Sequence, residues 1–349
     1  MSNRNVLAVG GSAGAIKPLT TILEKLPPNL KATIIVVIHI PPDSGGVYSA
    51  IASRCPFPVV VAQDGMAMEV GKVFIAPPGH HLLLIGNVFK LGKGPRENLS
   101  RPAVDPLFRS VALSAGPRAI GLILSGMLND GASGLASIKR CGGIALVQAP
   151  STAEAAAMPI AALEATPVDQ SAGEGELASA IVGYVREEAS PPKPVPPELK
   201  LEVDIAAGTG STTGTIVKLG HPVALTCPDC GGVLSEIDGS RPLRFRCQVG
   251  HAYTGKVLLT EQQSPVDEAM RVALRIIEER AELVSRMGHD ASASGRDGIA
   301  ENFLQKSDEY RAHADTLRQA LLQLMEDAPD GSEEPDIASY EARAALKEG

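Results

Sequence analysis

Along the first half of the chain, short unbroken apolar runs alternate with stretches whose apolar residues recur every three or four positions. The runs "VLAVG", "TIIVVI", "PVVVA", "AIGLILS" and "GIALVQ" are continuous, not alternating, in hydrophobicity, as strands covered on both faces must be. Between them, "IKPLTTILEKL", "GGVYSAIASRC", "VDPLFRSVALSA" and "GASGLASIKRC" carry helical spacing. The pattern predicts an α/β domain over residues 1–186, doubly wound, with a mostly parallel sheet. In "KVFIAPPGHHLLLIGNVFKL", two strand-like runs flank Gly86-Asn87, which predicts one antiparallel hairpin excursion.

The pattern then breaks. "REEASPPKPVPPELK" holds five prolines within seven residues and predicts an extended, semi-rigid linker over 187–219. A small Cys/His-bearing module follows over 220–260. Over 261–327 two narrow apolar stripes appear, Val266, Met270, Ala273, Ile277, Ala281 and Val284, then Ile299, Phe303, Tyr310, Ala314, Leu317, Leu321 and Leu324. They predict a helical hairpin within one chain or a coiled coil that makes a homodimer. The acidic residues 328–349 read as a disordered tail.

Composition narrows the function classes. The chain has 349 residues and a net charge of −8, which argues against non-specific binding to nucleic acid or an anionic membrane. It has no apolar run long enough to span a bilayer, and a strand begins within six residues of the start, leaving no room for a signal peptide. A cytoplasmic protein is expected. The five cysteines are odd in number and clustered, unlike a disulfide framework. Cys55 and Cys141 read as buried, inert thiols.

The first strand ends in Gly10-Gly11-Ser12-Ala13-Gly14 and a helical pattern follows at once. Such a loop either cradles a nucleotide phosphate or presents a nucleophilic serine. A dinucleotide site needs an acidic residue at the end of the next strand and a third glycine. The chain instead has His39 there, with Ile16 and Lys17 at the glycine position. A serine needs a base to take its proton, and the base needs an acceptor on its other nitrogen. Ser12 and His39 end successive strands, and Asp130 follows the strand "AIGLILS". Singly these residues read as a turn with an N-cap, a polar strand end and a second turn. Together they outline a Ser-His-Asp site. Their order along the chain differs from that of the α/β-hydrolases, where the histidine comes last.

Six blocks, "GGSAGA", "VVIHIPP", "VFIAPPGHHLLL", "SRPAVDPLFRSVA", "LSGMLNDGASGL" and "VQAPSTAEAAAMP", occur in that order. They resemble the catalytic domain of the chemotaxis protein-glutamate methylesterases (CheB-type), over roughly half the chain. The resemblance implies hydrolysis of glutamate methyl esters on methylated chemoreceptors, with deamidation of particular glutamines. It makes Ser12 the nucleophile, His39 the general base and Asp130 its orienting carboxylate, with no cofactor for catalysis. It puts the Met127 backbone N–H beside the oxyanion and Arg101 in the cleft. The Ala13 N–H, at a helix start, is a second oxyanion donor on geometric grounds. Two departures stand out. Ala13 replaces a usual hydroxyl residue, and Leu128 replaces a usual glycine, which predicts a narrower pocket. The family's N-terminal receiver domain is not expected, since the sequence opens on the catalytic strand. The adjacent His80 and His81 point to opposite faces of a strand and are expected to be structural.

In the second half, Cys227-x-x-Cys230 is followed by Cys247-x-x-x-His251. Three thiolates and an imidazole fit a closed, structural zinc site, a zinc-ribbon-like module, with iron as the lesser option and a disulfide not expected. Its metal should supply much of its folding energy. Arg241, Arg244 and Arg246 form a small basic cluster; with the overall acidity and few aromatics, no nucleic-acid partner is expected. A non-catalytic scaffold built on the esterase fold is the alternative to the hydrolase, and a nucleotide-binding oxidoreductase stands third.

Overall fold

The computed structural model describes residues 3–39, 47–209 and 211–326; the acidic tail expected over 328–349 lies outside them. Residues 1–258 form one compact unit and the helical residues from 259 onward another.

The first unit begins β1 (Val6–Gly11), α1 (Ile16–Lys25), β2 (Thr33–Ile38), α2 (Val47–Ala52), β3 (Val59–Val61), β4 (Val73–Ile75), β5 (His81–Ile85), β6 (Val88–Gly92) and α3 (Val104–Ala115). It continues through β7 (Ala119–Ile123), α4 (Ala132–Arg140), β8 (Ile144–Gln148), α5 (Ala157–Ala165), β9 (Gln170–Ala172) and α6 (Glu174–Arg186). A seven-stranded sheet runs β3-β4-β2-β1-β7-β8-β9, every neighbouring pair parallel. β1, β2, β7 and β8 are buried at every position. Alternate residues feed opposite cores: Leu7 and Val9 pack with α1 and α6, while Val6 and Ala8 pack with α3 and α4. This is the three-layer, doubly wound architecture expected from the continuous apolar runs. β5 and β6 form the hairpin about Gly86-Asn87 as a separate two-stranded sheet.

Chain order reverses between β1 and β7, since β2 lies on one side of β1 and the later strands on the other. The crevice beyond the carboxyl ends of these strands is where open α/β sheets bind ligands.

The proline-rich segment differs from expectation. It does not stay extended to 219: α7 (Pro197–Ala207) and α8 (Thr213–Ile216) form within it. Pro197 occupies the first helical turn, and Gly208 closes the helix at φ +91°. Proline is well suited to a helix start, where its missing N–H is not needed, and glycine to the left-handed cap. Leu199, Val203, Ile205 and Ala206 of α7 are buried.

The Cys/His residues belong to an antiparallel sheet of β10 (Gly220–Thr226), β11 (Val233–Ile237), β12 (Arg244–Cys247) and β13 (Ala252–Thr254). α9 (Gly255–Ala293) follows directly, and α10 (Asp297–Glu326) completes the described chain. In the second unit the two helices pair with each other as an antiparallel hairpin. Ser307 Oγ donates to Ala281 O at 2.9 Å, and the Arg280 guanidinium lies 5.2 Å from the Tyr310 ring centroid. Mostly small residues are buried along the pair: Ala281, Ser285, Ala291, Ala300, Ser307 and Ala314, with Leu321, while Val266, Ile299 and Leu324 of the expected stripes remain exposed. Among the described residues, no helix is long and apolar enough to cross a membrane.

Candidate active site

β1 and β2 pair in register, Gly11 opposite Ile38, so Ser12 and His39 leave the sheet side by side. Backbone hydrogen bonds continue past the strand ends: His39 N donates to Gly11 O at 3.1 Å and Ser12 N to Ser125 O at 2.9 Å. The Ser12 loop is thereby held between the loop after β2 and the loop after β7. The fit is close at Gly126, where an added Cβ would lie 2.9 Å from Ser12 Cβ and would collide with Met158 Sδ.

The loop after β7 carries Asp130 to His39, with Nε2 of the imidazole 2.8 Å from Oδ2 of the carboxylate. Ser12 Oγ makes no hydrogen bond among the described residues, so its contact with His39 is not formed here. Catalytic hydrogen bonds in unliganded sites are often long and tighten only with substrate bound.

Asp130 is 2% exposed, and its position follows from helix chemistry. α3 starts at Ala103 without a side-chain cap of its own. Asp130 supplies that cap from a remote loop: Val104 N donates to Oδ2 at 2.6 Å and Asp105 N to Oδ1 at 3.2 Å. Gly131 N at 3.0 Å and Asn98 Nδ2 at 3.1 Å also donate to Oδ1. Burial opposes the charge, but the His39 hydrogen bond and charge, then Val104 N–H and Asn98, hold the Asp130 carboxyl below its ordinary pKa. Burial and the Asp130 charge push the neighbouring Asp105 up to about 7. The environment thus puts the negative charge on Asp130, where a histidine needs it, and favours the proton on Asp105.

Sequence reasoning missed Asp105 and Asn98, although Asp105 stands in the same "SRPAVD" block as Arg101. The signal for it was an acidic residue in the first turn of a helix. His81 is structural, as expected. It is fully buried, and its two nitrogens meet Pro95 O (2.9 Å) and Ala103 N (3.3 Å). Nε2 therefore carries the proton. Burial lowers its pKa. Cys141 is buried as expected, whereas Cys55 is only half-buried; desolvation raises both thiols, in keeping with inert side chains.

The N–H groups of Ala13 and Met127 make no hydrogen bond among the described residues, and both residues are exposed. Arg101 donates from Nη1 to Gly94 O at 2.9 Å and meets no carboxylate among the described residues. Leu128, expected to narrow the pocket, packs its side chain against the core of the Cys/His module.

In that module, Cys227, Cys230, Cys247 and His251 place their ligand atoms within 4.8 Å of one another. Cys230 Sγ and Cys247 Sγ are 3.7 Å apart, and His251 Nδ1 lies 3.7 Å from Cys227 Sγ and 3.5 Å from Cys247 Sγ. Four ligands around one zinc at about 2.3 Å (S) and 2.1 Å (N) stand about 3.6–3.8 Å from one another. The sulfurs are not bonded to each other.

Of the expected basic cluster, Arg241 is exposed, while Arg244 and Arg246 are buried in ion pairs. Arg246 is fully buried and donates to Glu97 Oε1 (3.0 Å), Glu202 Oε1 (3.2 Å) and Gly250 O (2.8 Å). Arg244 pairs with Glu202 at 2.7 Å, and Arg109 of α3 pairs with Glu97. Burial disfavours both carboxylates, but Arg109 and Arg246 keep Glu97 ionised, as Arg244 and Arg109 do Glu202.

Residues 7–181 match the family model for the CheB methylesterase. A chain of Leptospira interrogans, provisionally named protein-glutamate methylesterase/protein-glutamine glutaminase, is 40% identical over 169 residues, 48% of this chain and 88% of that one. The protein-glutamate methylesterase/protein-glutamine glutaminase 2 of Methanosarcina mazei is 38% identical over 167 residues, 45% of this chain and 46% of that one. Among solved structures, the Thermotoga maritima CheB methylesterase catalytic domain aligns with a TM-score of 0.50 and 29% identity, covering 52% of this chain and 99% of that one.

Proposed function

The chain belongs to the CheB methylesterase family, and on that premise we propose that it is a serine hydrolase removing methyl esters from glutamate side chains of chemoreceptor-like proteins, with particular glutamine amides as a second substrate. The observation that carries the reading is the His39–Asp130 pair at the carboxyl ends of β2 and β7, with Ser12 beside it at the end of β1.

Because Nε2 of His39 faces Asp130, the lone pair that serves Ser12 is on Nδ1. Ser12 Oγ attacks the ester carbonyl carbon while Nδ1 accepts its proton. Asp130 stabilises the imidazolium, and the N–H groups of Ala13 and Met127 stabilise the oxyanion. Collapse breaks the C–OMe bond and His39 returns the proton to the departing methanol. Water, deprotonated by His39, then attacks the acyl-enzyme, releasing glutamate and restoring Ser12 Oγ–H. Arg101 is assigned to the cleft, where a guanidinium held by Gly94 O and by no carboxylate among the described residues suits an acidic group flanking the ester.

The second assignment is a structural Zn(II) held by Cys227, Cys230, Cys247 and His251. Four ligands close its shell, so it supplies cross-linking and no open position for chemistry. Three thiolates in one cluster fit a reducing compartment, and a cytoplasmic location belongs to the same proposal. No observation favours the non-catalytic scaffold.

The test is methanol release from a methylated receptor helix by the intact chain and by Ser12→Ala. The variant is expected to lose at least roughly 10³-fold in rate; equal release by both proteins would overturn the hydrolase. About one zinc per chain in unchelated protein is expected, and metal-free purified protein would overturn the metal assignment.

A further inference from the structure

Two loops hold the Asp130 carboxylate, and the Cys/His module holds both. The first is the segment 96–98. Asn98 and Leu99 have φ of +48° and +65°, two successive non-glycine residues in the left-handed region, a costly conformation that needs outside restraint. The restraint comes from β13. Ala252 N donates to Arg96 O at 3.3 Å, Asn98 N donates to Ala252 O at 2.8 Å, and Glu97 bridges Ala252 in parallel. Thr254 N donates to Asn98 Oδ1 at 3.0 Å. That bond fixes the orientation of the amide. With Oδ1 occupied, Nδ2 is the end that reaches Asp130 Oδ1 and, at 3.3 Å, Asp105 Oδ2. A turned amide would set an oxygen against a carboxylate.

The second loop is 127–130. Leu128, at φ +62°, packs against the module core formed by Cys227, Leu234, Phe245, Cys247 and Tyr253. Thr254 Oγ1 donates to Asn129 Oδ1 at 2.6 Å. One residue therefore grips both loops, and it lies three positions after His251.

We propose that the Cys/His module is a positioning element of the hydrolytic site, and that metal held by Cys227, Cys230, Cys247 and His251 aims Asp130 at His39 through Thr254, Asn98 and Leu128. The inference rests on the hydrolase and metal assignments above. The module core is small and includes two of the ligands themselves, Cys227 and Cys247, so its packing depends on the cross-link. The seven-stranded sheet has its own two cores and keeps its fold when the module loosens. Loss of metal frees the Asn98 amide and removes a donor from Asp130. With that restraint and the Leu128 contact gone, the carboxylate is no longer held at the His39 imidazole and stabilises its protonated form less. The other charged or titratable groups around the Asp105–Asp130 pair are His81 of β5, Arg109 of α3 and Arg244 of β12.

The full chain is compared zinc-loaded and chelator-stripped, with two readouts: the rate of fluorophosphonate labelling at Ser12, and the His39 titration midpoint by NMR, assigned with His39→Gln. Stripping is expected to slow labelling by roughly 10²-fold and to lower the His39 midpoint, with zinc restoring both. Asn98→Gly gives the second arm, since glycine accepts the left-handed backbone. In the metal-loaded chain it should reproduce both changes without loss of zinc, and this arm decides if chelation unfolds the whole protein. Wild-type labelling and midpoint in loaded Asn98→Gly would overturn the proposal, as would a stripped, folded chain that behaves like the loaded one. If the loaded chain does not label at Ser12 while its His39 midpoint still follows the metal, the hydrolase reading falls and the coupling stands.

Discussion

His39 turns Nε2, and not Nδ1, toward Asp130, at 2.8 Å. The tautomer that can accept a proton from Ser12 is therefore the one protonated on Nε2, and Asp130 alone selects it. In Asp130→Asn, the N–H groups of Asp105 and Gly131 and the Asn98 amide would hold the amide oxygen at the Oδ1 position, leaving its NH₂ toward His39 and against the Val104 N–H. That favours a proton on Nδ1, the side that should be empty. Turnover should fall by roughly 10³- to 10⁴-fold, with substrate KM little changed. Steady-state kinetics on folded variant decide; a loss below about tenfold would remove Asp130 from the tautomer-selecting role.

Gly126→Ala should disable the site without touching any of the three residues. The new methyl meets Ser12 Cβ at 2.9 Å and overlaps Met158 Sδ, so the nucleophile loop or the Met127 loop must move. Displacement of this size should slow Ser12 labelling by roughly 10²-fold, measured as the rate of phosphonate incorporation. Labelling at the wild-type rate would show that the loops are not in contact.

The two buried groups near Asp130 should pull stability in opposite directions with pH. His81 is kept neutral, so its unfolded form takes up a proton that the fold excludes, and stability falls as pH drops below about 6.5. Asp105 binds its proton more tightly folded than unfolded. Its contribution is complete below about pH 4 and is lost as pH rises through about 7. Relative to wild type, Asp105→Asn should gain stability between pH 5 and 8, and His81→Gln should gain it as pH falls from 7.5 to 5, each on the order of 1 kcal/mol. Urea unfolding at both ends of the range is the measurement. Trends of the same sign in the two variants would contradict the assigned protonation states.

Arg246→Met should be costly because Glu97 and Glu202 stay buried and each loses a partner. Breaking one side of such a buried set costs about 3–5 kcal/mol, to be read from denaturant midpoints. A change under about 1 kcal/mol would mean that the carboxylates regain water.

The sheet was legible because its strands are unbroken apolar runs, and Ser12, His39 and Asp130 were legible because two directly follow strand ends and the third lies in the loop after another. Positions alone brought these three together. The partners of Asp130 were not legible, since Asn98 and Thr254 lie 156 residues apart and neither has a pattern of its own. Ahead of and into α7, five prolines over residues 191–197 pointed to extended chain. Pro197 and Gly208 bounded a helix, and the buried Glu202 that justifies it pairs with arginines more than forty residues away. The burial of Arg244 and Arg246 was not legible, because charge in a sequence carries no label of burial. The helical stripes were partly misread for a simpler reason: two helices share only one seam, and here mostly small side chains fill it.

The buried charges have a bearing on how this chain can vary. Glu97 and Arg109 sit in the catalytic half, while Glu202, Arg244 and Arg246 come from beyond residue 186. A descendant that dropped the later segment would inherit a hydrophobic-side arginine and a glutamate with nothing to cover them. One that kept it could not change a single member alone. These five positions should therefore appear or vanish together among relatives, a signature by which gene fusions carrying the module can be told from plain catalytic domains.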